Sequence, residues 1–242
     1  MRVAIARWNA WAPGRETQAA WEAWARAPEA MRGDGSPSAS FIPSLLRRRA
    51  TPLTRTLLTA AWGCLDAEDL PRVRSVFASR HGSINESIGL LENVVRREKL
   101  SPTVFSHTVH NAQAALFSIA AGNRSASSSL AGQEDTFPCA WVEALGFLER
   151  DPATPLLLVV GDVPLAEAFA GLADEPDTAY ALACRLELAG AGPGVSLAIR
   201  ESDGPLPHPR WPLAFEFLRW WISGEPSLTL GRRGTCYEFR RD

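Results

Sequence analysis

The sequence predicts a single mixed α/β domain whose central sheet is buried and flanked by helices. Three observations predict it. The run Leu156-Leu157-Leu158-Val159-Val160 has the length and aliphatic character of a strand covered on both faces. Helical and strand-like patterns are interleaved along the chain, without an internal repeat or a domain boundary. A 242-residue chain that is 46% hydrophobic is large enough to build one sizeable core.

The elements follow in order. Val3 to Trp8 reads as a short strand, broken by Ala12-Pro13-Gly14. Thr17 to Ala27 reads as a helix that ends before Pro28, and Arg32 to Ser38 is a loop by composition. Thr51-Pro52 is a cap followed by proline, and it opens a helix to about Leu65 with Leu53, Leu57, Leu58 and Ala61 on one face. Val73 to Ala78 is β-rich. Asn85 to Arg97 has Ile88, Leu91 and Val95 spaced for burial on one helical face. A small-residue helix spans Val109 to Ala121, and Glu134 to Leu148 is the next. Ala179 to Leu188 and Val195 to Ile199 read as strands joined through Ala189 to Gly194 by a hairpin-type connection. A last helix spans about Trp211 to Ile222, with Trp211, Trp220 and Trp221 on an apolar face. Residues 201–242 are expected to form a helical and extended C-terminal tail.

Composition excludes several classes. A formal charge of -2 argues against nucleic-acid binding, which leaves a basic excess. Arg47-Arg48-Arg49 and Arg232-Arg233 are local cationic clusters that suit a phosphate or an acidic partner. Cys64, Cys139, Cys184 and Cys236 lack C-x-x-C spacing, so free thiols in a reducing, cytoplasmic setting are expected. The strand-like Arg2 to Ala6 shows no signal-peptide pattern, and the apolar run at Pro155 to Val160 is too short to span a bilayer. There is no G-x-G-x-x-G, Walker or G-x-S-x-G sequence. No cofactor is expected, and no metal: His107 and His110 could share a helical face, but they have no third ligand at useful spacing and suit a subunit contact better.

Leu100-Ser101-Pro102-Thr103-Val104-Phe105, then Val109-His110-Asn111 and an alanine-rich helix ending Ser118-Ile119-Ala120-Ala121-Gly122, resembles a β-ketoacyl synthase just before its nucleophile. Val3-Ala4-Ile5 resembles that family's first strand, Thr154 to Gly161 the strand after its nucleophile helix, and the two strands near Ala179 and Val195 the close of its first half. The likeness runs to about residue 200. More specifically it is similar to the short ketosynthase-like chain length factors of aryl polyene pigment clusters. The resemblance implies a thiolase-like half-fold.

The departures are as informative. A condensing ketosynthase needs a cysteine at a helix start, where the dipole favours the thiolate, and two histidines from its second half. Counted without gaps, Glu134 stands at the nucleophile position; with a three-residue gap, Ala131 does. Neither can form a thioester. His208 is the only histidine after His110. The resemblance therefore implies a catalytically silent subunit that pairs with an active β-ketoacyl synthase and reaches acyl carrier protein through that complex. It further implies that Val104, Phe105, His107, Thr108 and Val109 face the partner's acyl tunnel. Arg124 to Leu130, with Arg124, Ser125, Ser127 and Ser129, would be a strand pairing antiparallel across a two-fold axis. Simple core packing for Phe105 and Val109, and a serine-rich loop in place of the strand, are the competing readings. Glu134 is either a carboxylate facing partner or pocket, or an ordinary acid in a helix's first turn. A stand-alone acyltransferase or hydrolase acting through Cys139 or a serine is the alternative function.

Overall fold

In the computed structural model the fold grows from strands that are apolar on both faces. The structure describes every residue except 32, 34, 173–177, 203, 205, 207, 233 and 242. Parts of the loop expected at Arg32 to Ser38 and of the Arg232-Arg233 pair thus lie outside the described residues. The chain runs β1 (Arg2–Trp11), α1 (Gln18–Arg26), α2 (Ser44–Arg47), α3 (Pro52–Gly63), β2 (Arg74–Ala78), α4 (Ile84–Val95), α5 (Pro102–Phe105), α6 (Ala112–Ala121) and β3 (Ser127–Leu130). A 3-10 turn (Gln133–Asp135) leads into α7 (Thr136–Arg150), followed by β4 (Leu156–Asp162) and a second 3-10 turn (Glu167–Leu172). β5 (Tyr180–Leu188), β6 (Val195–Glu201), α8 (Leu213–Ser223), β7 (Ser227–Leu230) and β8 (Thr235–Arg241) complete the chain.

All eight strands form one sheet in the order β3-β2-β4-β5-β1-β6-β8-β7. β2 is parallel to both β3 and β4, and the remaining pairs are antiparallel. Alternation along β4 divides the core. Leu156, Leu158 and Val160 point into a layer built by α1, α7 and α8, whereas Leu157 and Val159 point into a layer built by α3 and α6. On the second side, Ala181 and Ala183 of β5 meet Ala60 and Ala61 of α3, so small side chains let the helix lie close. Asn9 on β1 donates from Nδ2 to the carbonyls of Ala60 (3.2 Å) and Thr59 (3.4 Å). Gly63 is required there, since a Cβ would stand 2.2 Å from Asn9 Nδ2. Thr51 caps α3 as its sequence predicts, accepting from the Thr54 amide at 3.2 Å.

Three expectations are corrected. β5 and β6 are not a hairpin: β1 lies between them and pairs with both, so the segment 189–194 carries the chain past the start of β1. α4 does not bury the expected face. Leu90 is buried, but Leu91 and Val95 are 64% and 83% exposed, because α4 packs on the single turn α5 rather than on the sheet. The expected Val109–Ala121 helix starts at Ala112, after turns through residues 106–111. Residues 201–242 hold α8, β7 and β8. α8 and β8 enclose α7 through Trp141–Phe217 and Phe137–Phe217 (ring centroids 4.9 Å each) and Trp141–Phe239 (5.5 Å). Trp220 is buried in this layer. Trp211 precedes α8 and packs edge-on against Trp24 at 5.3 Å.

Arg74 fastens the far end of α7. Its guanidinium donates to the carbonyls of Phe147 and Asp151, 2.8 Å each, and to that of Thr154. A nearly buried cation here satisfies carbonyls that the helix end leaves open and matches its dipole. Arg74→Leu is expected to lower unfolding free energy by about 3 kcal/mol, read from urea denaturation, because it strands these carbonyls in a dry site.

Candidate functional site

The ends of the parallel strands β3, β2 and β4 converge where the chain turns from β3 into α7. Open α/β sheets build sites at such strand ends. Ala131 is exposed and Glu134 half-buried; between them Gln133 has φ +54°, a left-handed conformation unusual for a residue with a Cβ. The turn is closed by local hydrogen bonds: Thr136 Oγ1 donates to the Gln133 carbonyl (2.7 Å) and accepts from the Gly132 amide (3.0 Å), while the Asp135 amide donates to the Gly132 carbonyl (3.0 Å). Gln133 is therefore the apex of the elbow, flanked by the two positions that sequence counting selected. No residue-type signal marks it, since left-handed backbone is legible in sequence mainly at glycine.

Cys139 lies on the first turn of α7, beneath the elbow rather than on it. Gly132 makes room for it, because a Cβ there would stand 2.8 Å from Cys139 Sγ. Sγ is 3.8 Å from the Tyr237 hydroxyl of β8. Burial pushes that phenol up to about 12, so at neutral pH it is protonated and cannot deprotonate the thiol.

Asp162, fully buried at the end of β4, organises the turn beside the elbow. It accepts from Ser79 Oγ (2.6 Å), the Arg80 amide (2.9 Å), the His81 amide (3.1 Å) and the Tyr180 hydroxyl (3.5 Å). Burial raises its pKa above the usual carboxylate range, although these hydrogen bonds pull the other way. Arg80 reaches from this turn to Glu134 (Nη2 to Oε1, 3.4 Å). Glu134 is thus tied to its own chain. The same turn continues toward α6: Gln113 Nε2 donates to Ser83 Oγ (3.1 Å), and Gly82, at φ +57°, lies under His110.

Beyond His110 the surface becomes apolar. Phe105 is 65% exposed, Val109 48% and Val104 37%, which overturns core packing for these residues. An open groove of about 550 Å³ runs between α4 and α5, lined chiefly by Leu90, Leu91, Val94, Leu100 and Phe105, with Thr108 at its rim. Thr108 is half-buried and donates to the Phe105 carbonyl (2.8 Å). His107 is half-buried; its Nε2 is covered and has no partner among the described residues. His107 and His110 lie in turns rather than on one helix, and no group of three or more metal-ligating side chains occurs among the described residues.

Among the described residues β3 is an edge strand that pairs only with β2, leaving its other edge unpaired. It begins at Ser127, so Ser127 and Ser129 lie on it but Arg124 and Ser125 precede it. The cause is Asn123: its Nδ2 donates to the carbonyls of Leu70 (2.7 Å) and Val73 (2.9 Å), its Oδ1 accepts from the Ser125 amide (2.8 Å), and this turn delays the strand. Arg48 and Arg49 are exposed just before α3, away from these features in sequence. No described helix is long and apolar enough to cross a membrane.

One mixed sheet between helical layers, with an elbow at the ends of its parallel strands, defines the ketosynthase-type, thiolase-like half-fold. The chain belongs to the β-ketoacyl synthase N-terminal domain family, whose pattern matches residues 21–235. Among solved structures it is similar to a chain in the complex of a ketosynthase (ApeO) with its chain length factor (ApeC) from Xenorhabdus doucetiae. That pair is 24% identical over the full length of both chains, with a TM-score of 0.85. A chain of the ishigamide ketosynthase/chain length factor is 17% identical, with 83% of this chain and 68% of that one covered and a TM-score of 0.66. A chain of AntDE:AntF, a type II PKS acyl-carrier protein in complex with its ketosynthase, is 14% identical, with 83% and 69% covered and a TM-score of 0.65. No curated protein matches by sequence.

Two outcomes test the elbow. Gln133→Gly is expected to raise stability by about 1 kcal/mol in urea denaturation, by removing a Cβ from left-handed backbone. For Asp162, the folded state takes up the proton at higher pH than the unfolded chain. Its contribution therefore favours the fold increasingly as pH falls from the raised folded value toward the ordinary carboxylate range. Asp162→Asn should flatten the pH dependence of Tm in that window, and cost about 1–3 kcal/mol at neutral pH through lost acceptors.

Proposed function

We propose that this chain is a catalytically silent chain length factor that pairs with an active β-ketoacyl synthase and shapes its acyl tunnel. The observation that carries the reading is the elbow: the family's strand–turn–helix is kept, but its apex is Gln133, flanked by Ala131 and Glu134, and none of the three can hold a thioester. The partner supplies the cysteine, both histidines and the docking of acyl carrier protein. The exposed Val104, Phe105 and Val109, with His107 and Thr108 between them, face that partner, and bulk there limits how far a growing chain extends. The edge of β3 through Ser127 and Ser129 pairs with the partner's sheet across a two-fold axis, with Arg124 and Ser125 at its approach. The pathway is polyketide or fatty-acid-like, specifically aryl polyene synthesis, in the cytoplasm. Supporting this are the full-length likeness to a chain of a ketosynthase–chain length factor complex, and a second such assembly among the similar structures.

Co-expression with a cognate ketosynthase should yield a stable 1:1 complex by size-exclusion chromatography, and Phe105→Asp should abolish it by burying a charge in the contact. Val109→Trp should leave the complex intact and shorten the product by at least one extension unit, read by mass spectrometry. Cys139→Ser should leave product yield unchanged; a covalent acyl adduct on Cys139 would instead identify a stand-alone acyltransferase.

A further inference from the structure

The densest positive charge of the chain lies in the turn between α2 and α3. From residue 35 to residue 65 there are four cations, Arg47, Arg48, Arg49 and Arg55, and no carboxylate. That is +4 in a chain of formal charge -2, leaving -6 for the rest. The next acids in sequence are Asp34, outside the described residues, and Asp66, which is paired with Arg7 at 2.8 Å. Asp66 follows α3, so the length of that helix, roughly 18 Å, separates it from the arginines.

The four arginines belong to one closed turn. Arg47 ends α2, Arg48 and Arg49 follow directly, and Arg55 lies on the first turn of α3. Arg55 donates from Nη2 to the Arg47 carbonyl (3.1 Å) and from Nε to the Ala50 carbonyl (3.2 Å), and Arg47 donates from Nη1 to the Ser40 carbonyl (3.1 Å). Arg48 and Arg49 are exposed, and their side chains have no hydrogen-bond or ion-pair partner among the described residues. α2 does not need them at its end: the carbonyls of Ser44, Leu46 and Arg47 already accept from the amides of Arg48 (3.1 Å), Arg49 (3.0 Å) and Ala50 (3.3 Å). Ahead of the arginines stands Leu45, 65% exposed, beside exposed Pro43 and Ser44.

This arrangement discriminates among anionic partners. Consecutive residues on a helical turn diverge by about 100°, so Arg47, Arg48 and Arg49 fan out instead of forming a row. An acidic helix presents fixed carboxylates along one face and meets few of these arginines at once, whereas lipid headgroups diffuse to each. Guanidinium groups bind phosphate through paired hydrogen bonds. An exposed leucine is covered at the boundary between headgroups and acyl chains, and a row of carboxylates offers it no such cover. We infer that the turn at Leu45 to Arg49 attaches the chain reversibly to an anionic phospholipid surface, with Leu45 in the headgroup boundary and the arginines on lipid phosphates. The negative charge of the rest of the chain turns this end toward such a surface. The inference does not depend on the pairing proposed above, since α3 lies over β4, β5 and β1 whereas the pairing edge is β3.

The test is co-sedimentation of the full chain with sucrose-loaded vesicles, made of phosphatidylcholine alone or with about 30% phosphatidylglycerol, a surface negative enough to attract clustered arginines. At about 50 mM salt the chain should partition at least about tenfold more onto the phosphatidylglycerol vesicles, and at about 0.5 M salt that preference should largely vanish as charges are screened. Arg48→Gln/Arg49→Gln should lower the partition coefficient at least about tenfold, since each arginine near the surface contributes a factor of about five. Its Tm should be unchanged, because neither side chain is bonded within the chain. Leu45→Ser should weaken binding severalfold and leave its salt dependence intact. Arg96→Gln/Lys99→Gln removes the same charge from another exposed segment and should change binding less than about twofold, because attraction is local at the scale of screening. The inference is overturned if both vesicle types bind alike, or if this control loses as much as Arg48→Gln/Arg49→Gln. It is also overturned if the chain ignores vesicles while the two arginines are needed to bind an acidic protein, with apo acyl carrier protein as the probe. Failure of the pairing reading is separate, because it is read from complex formation with a ketosynthase, which Arg48→Gln/Arg49→Gln should retain.

Discussion

The contact among Trp141, Phe217 and Phe239 is the one on which the rest of the structure depends. α7 must be held from outside, because the sheet covers only one of its faces and β4 behind it is buried throughout. α8 and β8 provide that cover with rings at 4.9 to 5.5 Å, close enough for tilted and edge-on stacking to add to area burial. Once α7 is pinned, its first turn fixes the elbow and its last turn meets Arg74. Tyr237 on the same β8 strand reaches Cys139, so the strand that seals the aromatic layer also closes the underside of the elbow. α8 and β8 thus cover the helix that follows the elbow.

That distribution of aromatic residues explains where the apolar surface remains. Trp21, Trp141, Trp220, Phe215, Phe217 and Phe239 are spent inside the layer beside α7. On the opposite flank α4 packs on α5 and is tied by Asn85 to the segment at Pro164 and Ala166, and Leu91, Val94, Val95, Leu100 and Phe105 stay in water. Contiguous apolar exposure and an unpaired strand edge are each disfavoured in an isolated chain, and both support the proposed contact surface.

Much of this was legible in the sequence, and the limits have physical causes. The run at Leu156 gave β4 because a strand buried on both faces needs no alternation, and Thr51-Pro52 gave the start of α3 because capping is local chemistry. Pairing is not local: nothing in 179–199 says that β1 will separate β5 from β6, since the partner strand lies at the other end of the chain. β7 and β8 fall in the stretch expected to be a helical and extended tail, and their pairing is not legible there; β7 has only four residues, and both gain their stability from tertiary packing. The apolar spacing of α4 marks a face but not a buried one, because periodicity reports a preference for cover without saying what provides it. At the elbow, counting bracketed the apex between Ala131 and Glu134 but could not find Gln133, whose distinguishing feature is a backbone angle.

The persistence of that angle bears on what the elbow now does. A left-handed glutamine costs on the order of 1 kcal/mol and survives only where its surroundings over-determine it. Here they do, through Thr136 Oγ1, the Gly132 carbonyl and the Arg80–Glu134 link to the turn that Asp162 holds. These groups bond to one another and so hold the elbow mechanically. The elbow is the joint between β3 and α7: with α7 fixed by its aromatic cover, the elbow angle sets where the free edge of β3 lies. The turn at Ser79 to Ser83 carries that constraint onward to His110 and Gln113, next to the exposed segment at Val104 to Val109. An elbow with Gln133 at its apex thus positions both parts of the proposed contact surface.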